Sequence, residues 1–321
     1  MKKITSGVIL IFLSTMMFGQ QKDFEGIIFY KTTVKSTSEL ISEKVIRNML
    51  GVGNEMTVWI KQGNYRQNSG LSDMYYINKN QRLYIKFRNL DTLYFLDYSS
   101  DSSTVTRVLK SEEKRTIAGF ECKLLTVQQG EATYKYYYAP ALYMNAEYDK
   151  NNTLSRYDVF AKETSSLYLE YEQETKSYNF SQTCTRLQQT VIPDSIFKLP
   201  RLPQKKFSPD ELTMPPEFTR SGGWTKYLQT STDSEVGSKF LKISKRDEMA
   251  TQTVMVKFLL NEYGRVAYAE VENKKEVHPK LAEEALRVVN ASPPWKPATI
   301  YGGEKAVYWL KVPITFQVTK K

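Results

Sequence analysis

The chain is poor in the residues from which metal and nucleophilic sites are built. Its 321 residues include one histidine, His278, and two cysteines whose spacing matches no zinc-binding pattern. A serine nucleophile needs a histidine base, and His278 stands beside Pro279 at a predicted helix start. No glycine-rich phosphate loop follows a strand, and the aspartates are dispersed in turns. We therefore expect no enzyme, with no catalytic residue, no metal site and no cofactor.

The sequence also lacks a concentrated block of one charge. The formal net charge is +10 and the isoelectric point is near 9.2, but lysines and arginines are scattered among aspartates and glutamates. Nucleic-acid binding uses a basic stripe with stacking aromatic residues, and neither is present. We expect no nucleic-acid partner and read the basic charge as that of a solvated surface.

One apolar run, Ile4–Phe18, follows the positive start Met1-Lys2-Lys3. This combination is typical of a secretory signal peptide, and a membrane-spanning helix needs about 20 apolar residues. We expect a signal peptide at 1–20, cleaved near Gly19-Gln20. The alternative is an uncleaved short anchor. No cysteine follows the run, which excludes a lipoprotein anchor.

The two cysteines, Cys122 and Cys184, fall in strand-like segments of one predicted domain. In an oxidising compartment an even number of cysteines favours a disulfide. We therefore expect a disulfide between them. The alternative is a pair of buried free thiols that behave as small apolar residues.

Residues 21–199 have the pattern of a long series of β-strands separated by turn signals. One helix interrupts the series, since Ser36 and Glu39 have capping-box spacing, an apolar stripe follows to Leu50, and Gly51 ends it. So many consecutive antiparallel strands do not remain flat. The sequence predicts an antiparallel half-barrel whose concave face is covered by the single helix.

Prolines break this pattern and separate two zones of the chain. We expect an extended proline-rich linker at 200–216 and a small second domain at 217–321. The predicted elements of this domain are a hairpin of Thr253–Leu260 with Arg265–Glu272, a helix at Pro279–Asn290 and a last strand at Ala306–Thr319. The fold class is thus mainly β plus α+β, with the order β-β-α-β in the second domain.

Four segments of the second domain follow one another in a specific order and spacing. They are the turn Asn261-Glu262-Tyr263-Gly264-Arg265-Val266, the helix start His278-Pro279-Lys280-Leu281, the loop Pro294-Trp295-Lys296-Pro297-Ala298 and the closing Val312-Pro313-Ile314-Thr315-Phe316. Together they resemble the C-terminal domains of TonB proteins. The chain departs from that family where Thr230–Lys242 replaces the usual Tyr-Pro segment, and it shows neither the long anchor nor the spacer of an energy transducer.

The resemblance implies a way of binding. TonB domains capture an extended segment of an outer-membrane transporter as an added strand, so that main-chain hydrogen bonds hold it. We expect the contact along the last strand, at Val307, Tyr308, Trp309, Leu310, Lys311 and Val312. The expected partner is a TonB-dependent transporter or another envelope protein, and the expected location is the periplasm of a Gram-negative bacterium. Two alternatives stay open. Val307, Trp309 and Phe316 are core residues of a strand packed on the Pro279–Asn290 helix, or the strand pairs with a second copy as a homodimer.

The first domain carries a looser pattern. Lys114–Lys123 and Tyr137-Tyr138-Ala139-Pro140 resemble the signature of exported half-barrel proteins of the GLPGLI and LolA/LolB-like type, although the Leu-Pro-Gly-Leu-Ile motif is absent. The resemblance implies a half-barrel that shelters a lipid or another apolar ligand. An alternative function is therefore a periplasmic carrier or sensor, with the helix as its lid, unless the aromatic residues fill the core.

Overall fold

The computed structural model describes residues 22–97, 104–105 and 107–320. The predicted signal peptide, 1–20, lies outside the described residues. No helix in this part of the chain is both long and apolar enough to cross a membrane.

The N-terminal part of the chain forms a single twelve-stranded sheet. Its spatial order is β12-β6-β5-β4-β3-β2-β1-β11-β10-β9-β8-β7, and all neighbours are antiparallel except β12 with β6. The strands are β1 (Gly26–Ser36), β2 (Glu55–Lys61), β3 (Asn64–Asn68), β4 (Ser72–Ile77), β5 (Arg82–Phe87), β6 (Leu93–Asp97), β7 (Arg107–Ile117), β8 (Phe120–Gln129), β9 (Ala132–Tyr143), β10 (Ser166–Glu174), β11 (Tyr178–Gln189) and β12 (Gln204–Lys206). The sheet is not closed into a barrel, which confirms the predicted open β architecture.

Side-chain alternation explains why the central strand lies where it does. In β1 the residues Ile28, Tyr30, Thr32 and Val34 are almost fully buried, while the residues between them are half-buried or exposed. Because successive side chains of a strand point to opposite faces, one face of β1 contributes to the main core. The strands on both sides of it add the rest of that core.

Two helices cover this core, where the sequence predicted one. Helix α1 (Glu43–Leu50) begins at Ser42, whose hydroxyl accepts the N–H of Val45, and ends at Gly51 with φ of 65°. The predicted capping box at Ser36 and Glu39 is therefore wrong, because β1 remains paired as far as Ser36. Helix α2 (Tyr157–Thr164) was not predicted, and it buries Phe160 and Ala161.

The predicted linker lies along the first sheet for part of its length. Strand β12 within it pairs with β6, and the N–H of Phe207 donates to the carbonyl of Phe95. Leu212 then contacts the aromatic cluster of β5 and β6. The domain boundaries at 199 and 217 stay a prediction, since the chain remains in contact with both parts through this segment.

The C-terminal part contains a three-stranded sheet with the order β15-β14-β18, and a small second sheet with the order β13-β16-β17. The elements are β13 (Thr213–Met214), α3 (Gly223–Ser231), α4 (Ser234–Phe240), β14 (Met249–Leu260), β15 (Val266–Val271), α5 (Pro279–Asn290), β16 (Thr299–Ile300), β17 (Glu304–Lys305) and β18 (Tyr308–Thr319). The predicted order of hairpin, helix and last strand is confirmed.

Helix α5 packs on the inner face of the three-stranded sheet. Its apolar stripe of Leu281, Ala285 and Val289 is fully buried against residues of β14 and β18 such as Phe258 and Phe316. The helix starts where His278 Nδ1 accepts the N–H of Lys280, with proline at its first position. This packing leaves the opposite face of the sheet turned away from the core.

The two cysteines are unlinked in the structure, and the disulfide expected between them stays a prediction. Cys122 lies in β8 and Cys184 in β11, and both are buried free thiols. Strands β9 and β10 lie between β8 and β11 in the order of the sheet. Burial raises the pKa of each thiol to about 11, which keeps both protonated near neutral pH.

Candidate functional site

The predicted binding residues lie at the start of β18. Tyr308, Trp309, Leu310, Lys311 and Val312 belong to the strand, and Val307 directly precedes it. Strand β18 pairs with β14 along its whole length, from Leu260 opposite Tyr308 to Met249 opposite Thr319. It is an outer strand, so one of its two edges has no partner strand among the described residues.

Side chains alternate strictly along β18. Leu310 and Val312 contact the second core, and Ile314 and Phe316 further along are buried in it. Trp309 and Lys311 point to the opposite face and are exposed, with 44% of the surface of Trp309 accessible. Phe316 is therefore a core residue and Trp309 is not.

Backbone direction along β18 can be read from Met255, which lies opposite Pro313. Met255 receives the N–H of Glu272 on its carbonyl and donates its own N–H to Asn273 Oδ1, on the side away from β18. The pair is thus of the non-hydrogen-bonded kind, in which both backbones face away from each other. Pro313 accordingly has its missing N–H on the open edge, where proline is tolerated.

The same alternation gives the direction of the backbone groups of the neighbouring residues. Trp309 and Lys311 are four and two positions from Pro313, so their N–H and C=O groups face the open edge, whereas those of Leu310 face β14. An added strand would find donors and acceptors at Trp309 and Lys311. It would find no donor at Pro313.

Helix α4 restricts the open edge to the first half of β18. The helix contacts β18, and its Gly237 lies against the carbonyl of Gln317 near the strand's end. After the end of β18, the main-chain N–H of Lys320 donates to the carbonyl of Glu248. The uncovered stretch is therefore the one that includes Tyr308 to Val312.

Charged and aromatic side chains surround Trp309 on the exposed face of this sheet. Lys257 Nζ lies 4.7 Å from the centre of the Trp309 ring, and the Tyr268 ring meets it edge to face at 6.0 Å. Lys311 forms an ion pair with Glu272. A strand added beside Trp309 would thus place alternate side chains next to an aromatic and basic surface.

A second candidate site is a cavity of about 310 Å³ on the concave face of the first sheet. One wall is aliphatic and comes from the end of α1, the segment after it and β2, with Leu50, Val52, Met56, Val58 and Ile60. The other wall is aromatic and comes from strands β1, β9 and β10 and helix α2, with Tyr30, Tyr136, Tyr157, Tyr168 and Tyr171. This volume is in the range of small-molecule sites.

Several tyrosine hydroxyls around the cavity form hydrogen bonds with backbone carbonyls or glutamine side chains. Tyr30 donates to the carbonyl of Tyr168 at 3.0 Å, Tyr136 donates to the carbonyl of Ser155 at 2.7 Å, and Gln182 Nε2 donates to the Tyr168 hydroxyl at 2.7 Å. Burial raises the pKa of Tyr30 and Tyr136 well above the usual value and that of Tyr168 to about 12. These rings therefore stay neutral at all physiological pH values.

Helix α1 lies between the cavity and the second domain. Leu50 at its end lines the cavity, while Asn48 Nδ2 donates to the carbonyl of Lys305 at 3.2 Å. The hydroxyl of Tyr301 donates to the carbonyl of Met49 at 3.1 Å. The predicted lid helix is thus also the element that contacts the segment leading into β18.

Sequence reasoning missed one wall of the cavity. It assigned no element between Tyr143 and Ser166, where Asn152, Ser155 and α2 lie. The signal that could have revealed the helix is the helical spacing of Tyr157, Phe160 and Ala161. Among the described residues, no group of three or more His, Cys, Asp or Glu side chains could hold a metal ion.

No curated protein matches the chain. Among solved structures, two crystal forms of PNGF-II are similar with TM-scores of 0.36 and 0.35 and identities of 12% and 10%, over 76% of this chain in each case. The matched regions cover 45% and 44% of those proteins, so the chain spans less than half of their length.

The family comparison falls on the second domain. Residues 246–318, from just before β14 to near the end of β18, match the model of the C-terminal domain of Gram-negative bacterial TonB protein. That family is a non-enzymatic one whose domains interact with proteins of the bacterial envelope. Residues 246–318 of this chain are therefore a TonB C-terminal domain, and the match does not extend to the rest of the chain.

Proposed function

We propose that the second domain binds an extended segment of an envelope protein by pairing it with the first half of β18 as an added strand. The observation that carries this proposal is the open edge at Trp309 and Lys311, whose backbone groups face away from β14. By the family resemblance, an N-terminal segment of an outer-membrane transporter is the expected partner.

The other outer strand of the sheet is a weaker candidate. Strand β15 has six residues, half the length of β18 with twelve. Short edge strands are a common protection against unwanted pairing. The longer β18, with proline at one side of the open stretch and α4 beyond it, offers a site of defined length.

Exchange of one main-chain donor tests the proposal. Lys311→Pro removes an N–H that faces the open edge, whereas Lys311→Thr removes the same side chain and keeps the donor. We expect synthetic N-terminal transporter segments, titrated by calorimetry, to bind the threonine variant and to lose at least about tenfold in affinity for the proline variant, since several main-chain bonds depend on strand continuity.

Equal binding by both variants would contradict strand addition. Substitution at Leu310 is unsuitable for this test because its N–H faces β14, so proline there would disturb the sheet itself. Self-association of the protein through the same edge is measured in parallel by sedimentation. A dimer that Lys311→Pro dissolves would favour the homodimer alternative.

We propose as a second candidate function that the first domain carries an apolar ligand. The specific observation that favours it is the cavity beneath α1. Val58→Phe would fill the cavity from β2, whereas Thr57→Phe adds the same ring on the opposite face of the same strand. We expect organic extraction to recover apolar molecules from the purified wild-type protein and from Thr57→Phe, and to recover much less from Val58→Phe. Equal recovery from all three proteins would contradict a ligand in the cavity.

A further inference from the structure

The wall of the cavity in the first domain carries no ionisable acid or base other than tyrosine. Of the described residues that line it, none is an aspartate, glutamate, lysine, arginine or histidine, although a quarter of the chain is charged. A charge buried in such a site would have no counter-charge, and burying an unpaired charge is strongly unfavourable. The part of a ligand that enters this cavity is therefore neutral.

One polar atom at the wall lacks a partner. Asn152 lines the cavity and is 96% buried, since 4% of its surface is accessible. Its Nδ2 donates to Asp149 Oδ1 at 3.2 Å, but its Oδ1 is buried without a hydrogen-bond partner. Buried acceptors are normally satisfied. Because this atom has almost no accessible surface, a ligand donor would reach it when the Asn152 side chain turns toward the cavity.

The position of Asn152 also gives the cavity a direction. Asn152 and Ser155 lie at the end formed by the turn before α2, whereas the aliphatic residues Met56 and Val58 belong to β2 on the other wall. Asp149 accepts the hydrogen bond of Asn152 Nδ2, and its ionised form would repel an anion at this end. The β2 side is apolar except for Gln67 opposite Val58, so the apolar body of a bound molecule would lie against β2 and its polar group toward Asn152.

We propose that the cavity binds a neutral amphiphile, with its apolar body against the β2 wall and an uncharged hydrogen-bond donor, a hydroxyl or amide N–H, directed to Asn152 Oδ1. This inference rests on the proposed carrier function and adds to it the chemical class of the ligand. It separates fatty alcohols, acylglycerols and fatty amides, which have such a donor, from fatty acids and phospholipids, whose head groups are ionised.

Three probes of equal chain length test the ligand class on the full-length protein. Decanol is neutral with a donor, decyl methyl ether is neutral without a donor, and decanoate is ionised at about pH 8. Each is titrated against the neutral dye N-phenylnaphthylamine bound in the cavity. We expect decanol to displace the dye about five- to tenfold more effectively than the ether, as one buried hydrogen bond provides, and decanoate to be weaker than both.

The variant Asn152→Leu removes the acceptor, and Asn151→Leu makes the same change at an exposed neighbour. We expect the advantage of decanol over the ether to vanish in Asn152→Leu and to persist in Asn151→Leu. The wild-type series stands by itself should Asn152→Leu fold poorly. Equal displacement by decanol and the ether, or stronger displacement by decanoate, would overturn the ligand class and leave the carrier function standing; a dye that Val58→Phe does not exclude would overturn both.

Discussion

Gly264 joins two of the motifs that mark the second domain. It has φ of 73°. Its N–H donates to the carbonyl of Asn261, and its carbonyl accepts the N–H of Trp295 at 2.8 Å. A Cβ at this position would collide with the carbonyl of Trp295. The glycine of the hairpin turn and the tryptophan of the following loop therefore depend on each other, because one backbone lies directly against the other.

We expect Gly264→Ala to lower the free energy of unfolding by about 3 kcal/mol or more, since a left-handed backbone costs a side-chain-bearing residue about 1–2 kcal/mol and the collision adds to it. Urea unfolding followed by tryptophan fluorescence measures the change. Gly130→Ala is the control, because Gly130 has φ of 56° with open space around it. A similar loss in both variants would show that the contact with Trp295 contributes nothing.

Asp149 is a buried carboxyl group beside the cavity. Burial raises its pKa to about 7, whereas an unfolded chain titrates near 3.9. The folded protein therefore binds the proton more tightly than the unfolded protein. The stability that this group contributes is present below about pH 4 and is lost as the pH rises through 7.

We expect the free energy of unfolding of the wild type to fall by roughly 3–4 kcal/mol between about pH 4 and pH 8 on account of this group, at 1.36 kcal/mol per pKa unit. Asp149→Asn should remove that fall, so that the variant is the more stable protein at pH 8 and similar to the wild type near pH 4. Denaturant unfolding at several pH values measures it, with Glu147→Gln, an exposed acid in the same turn, as control. Parallel pH curves for wild type and Asp149→Asn would contradict the assignment.

At the scale of elements, the patterns that the sequence predicted well are local. Helix α5 has the predicted bounds, Pro279–Asn290, because its proline start, apolar stripe and following prolines all lie within a few turns. The hairpin of β14 and β15 is set by the turn at Gly264. In both cases the residues that decide the structure are neighbours in the chain.

The elements that were missed depend on distant partners. Helix α1 begins at Ser42 rather than near Glu39 because β1 keeps pairing with β11 to Ser36, and a capping-box pattern cannot show that competition. Strand β3 has no buried apolar residue to mark it, since all five of its residues are half-buried.

Helix α5 holds the helices before it through one buried acid. Glu284 Oε1 accepts the main-chain N–H of Asp233 at 2.7 Å, and both of its oxygens accept hydrogen bonds from Arg287 at 2.7 Å. These bonds lower the pKa of Glu284, with that to Arg287 contributing most. The junction between α3 and α4, and hence the helix that covers the end of β18, is fixed by this side chain.

We expect Glu284→Gln to lower the free energy of unfolding by about 1–2 kcal/mol, since a charge-assisted pair becomes a neutral one. Glu283→Gln, in an exposed pair with Lys280, should change it by less than about 0.5 kcal/mol. Hydrogen exchange should show faster opening of α4 in the first variant only. Unchanged exchange in α4 would contradict the role of Glu284 in holding it.

At the scale of the whole molecule, the two parts of the chain meet at an aromatic contact. The ring of Tyr301, before β17, stacks on Phe87 of β5 with 4.1 Å between ring centres and 9° between planes. Phe207 from the predicted linker also contacts Phe87. Proline content alone predicted a separating spacer, but apolar residues of the same segment bring the two sheets together.

We expect Tyr301→Ala to weaken this contact by about 2 kcal/mol. Removal of a half-buried aromatic ring costs less than removal of a fully buried one. Small-angle scattering should then report a larger radius of gyration and calorimetry should resolve separate transitions. Tyr263→Ala, at an exposed ring of the same domain, should leave both unchanged. An unaltered radius in Tyr301→Ala would contradict a contact maintained by this ring.

Strand addition at β18 is tested most directly by photo-crosslinking in the native envelope. A photoreactive residue is placed in turn at Tyr308, Trp309, Leu310 and Lys311, and at Gln317, where α4 covers the strand. We predict crosslinks to N-terminal segments of outer-membrane transporters from positions 309 and 311, whose side chains are exposed. We predict none from position 310, whose side chain contacts the second core, none from position 317, and loss of those at 309 when Lys311→Pro is added. Crosslinks only to a second copy of the protein, or equal crosslinks at 317, would contradict recognition through the open half of β18.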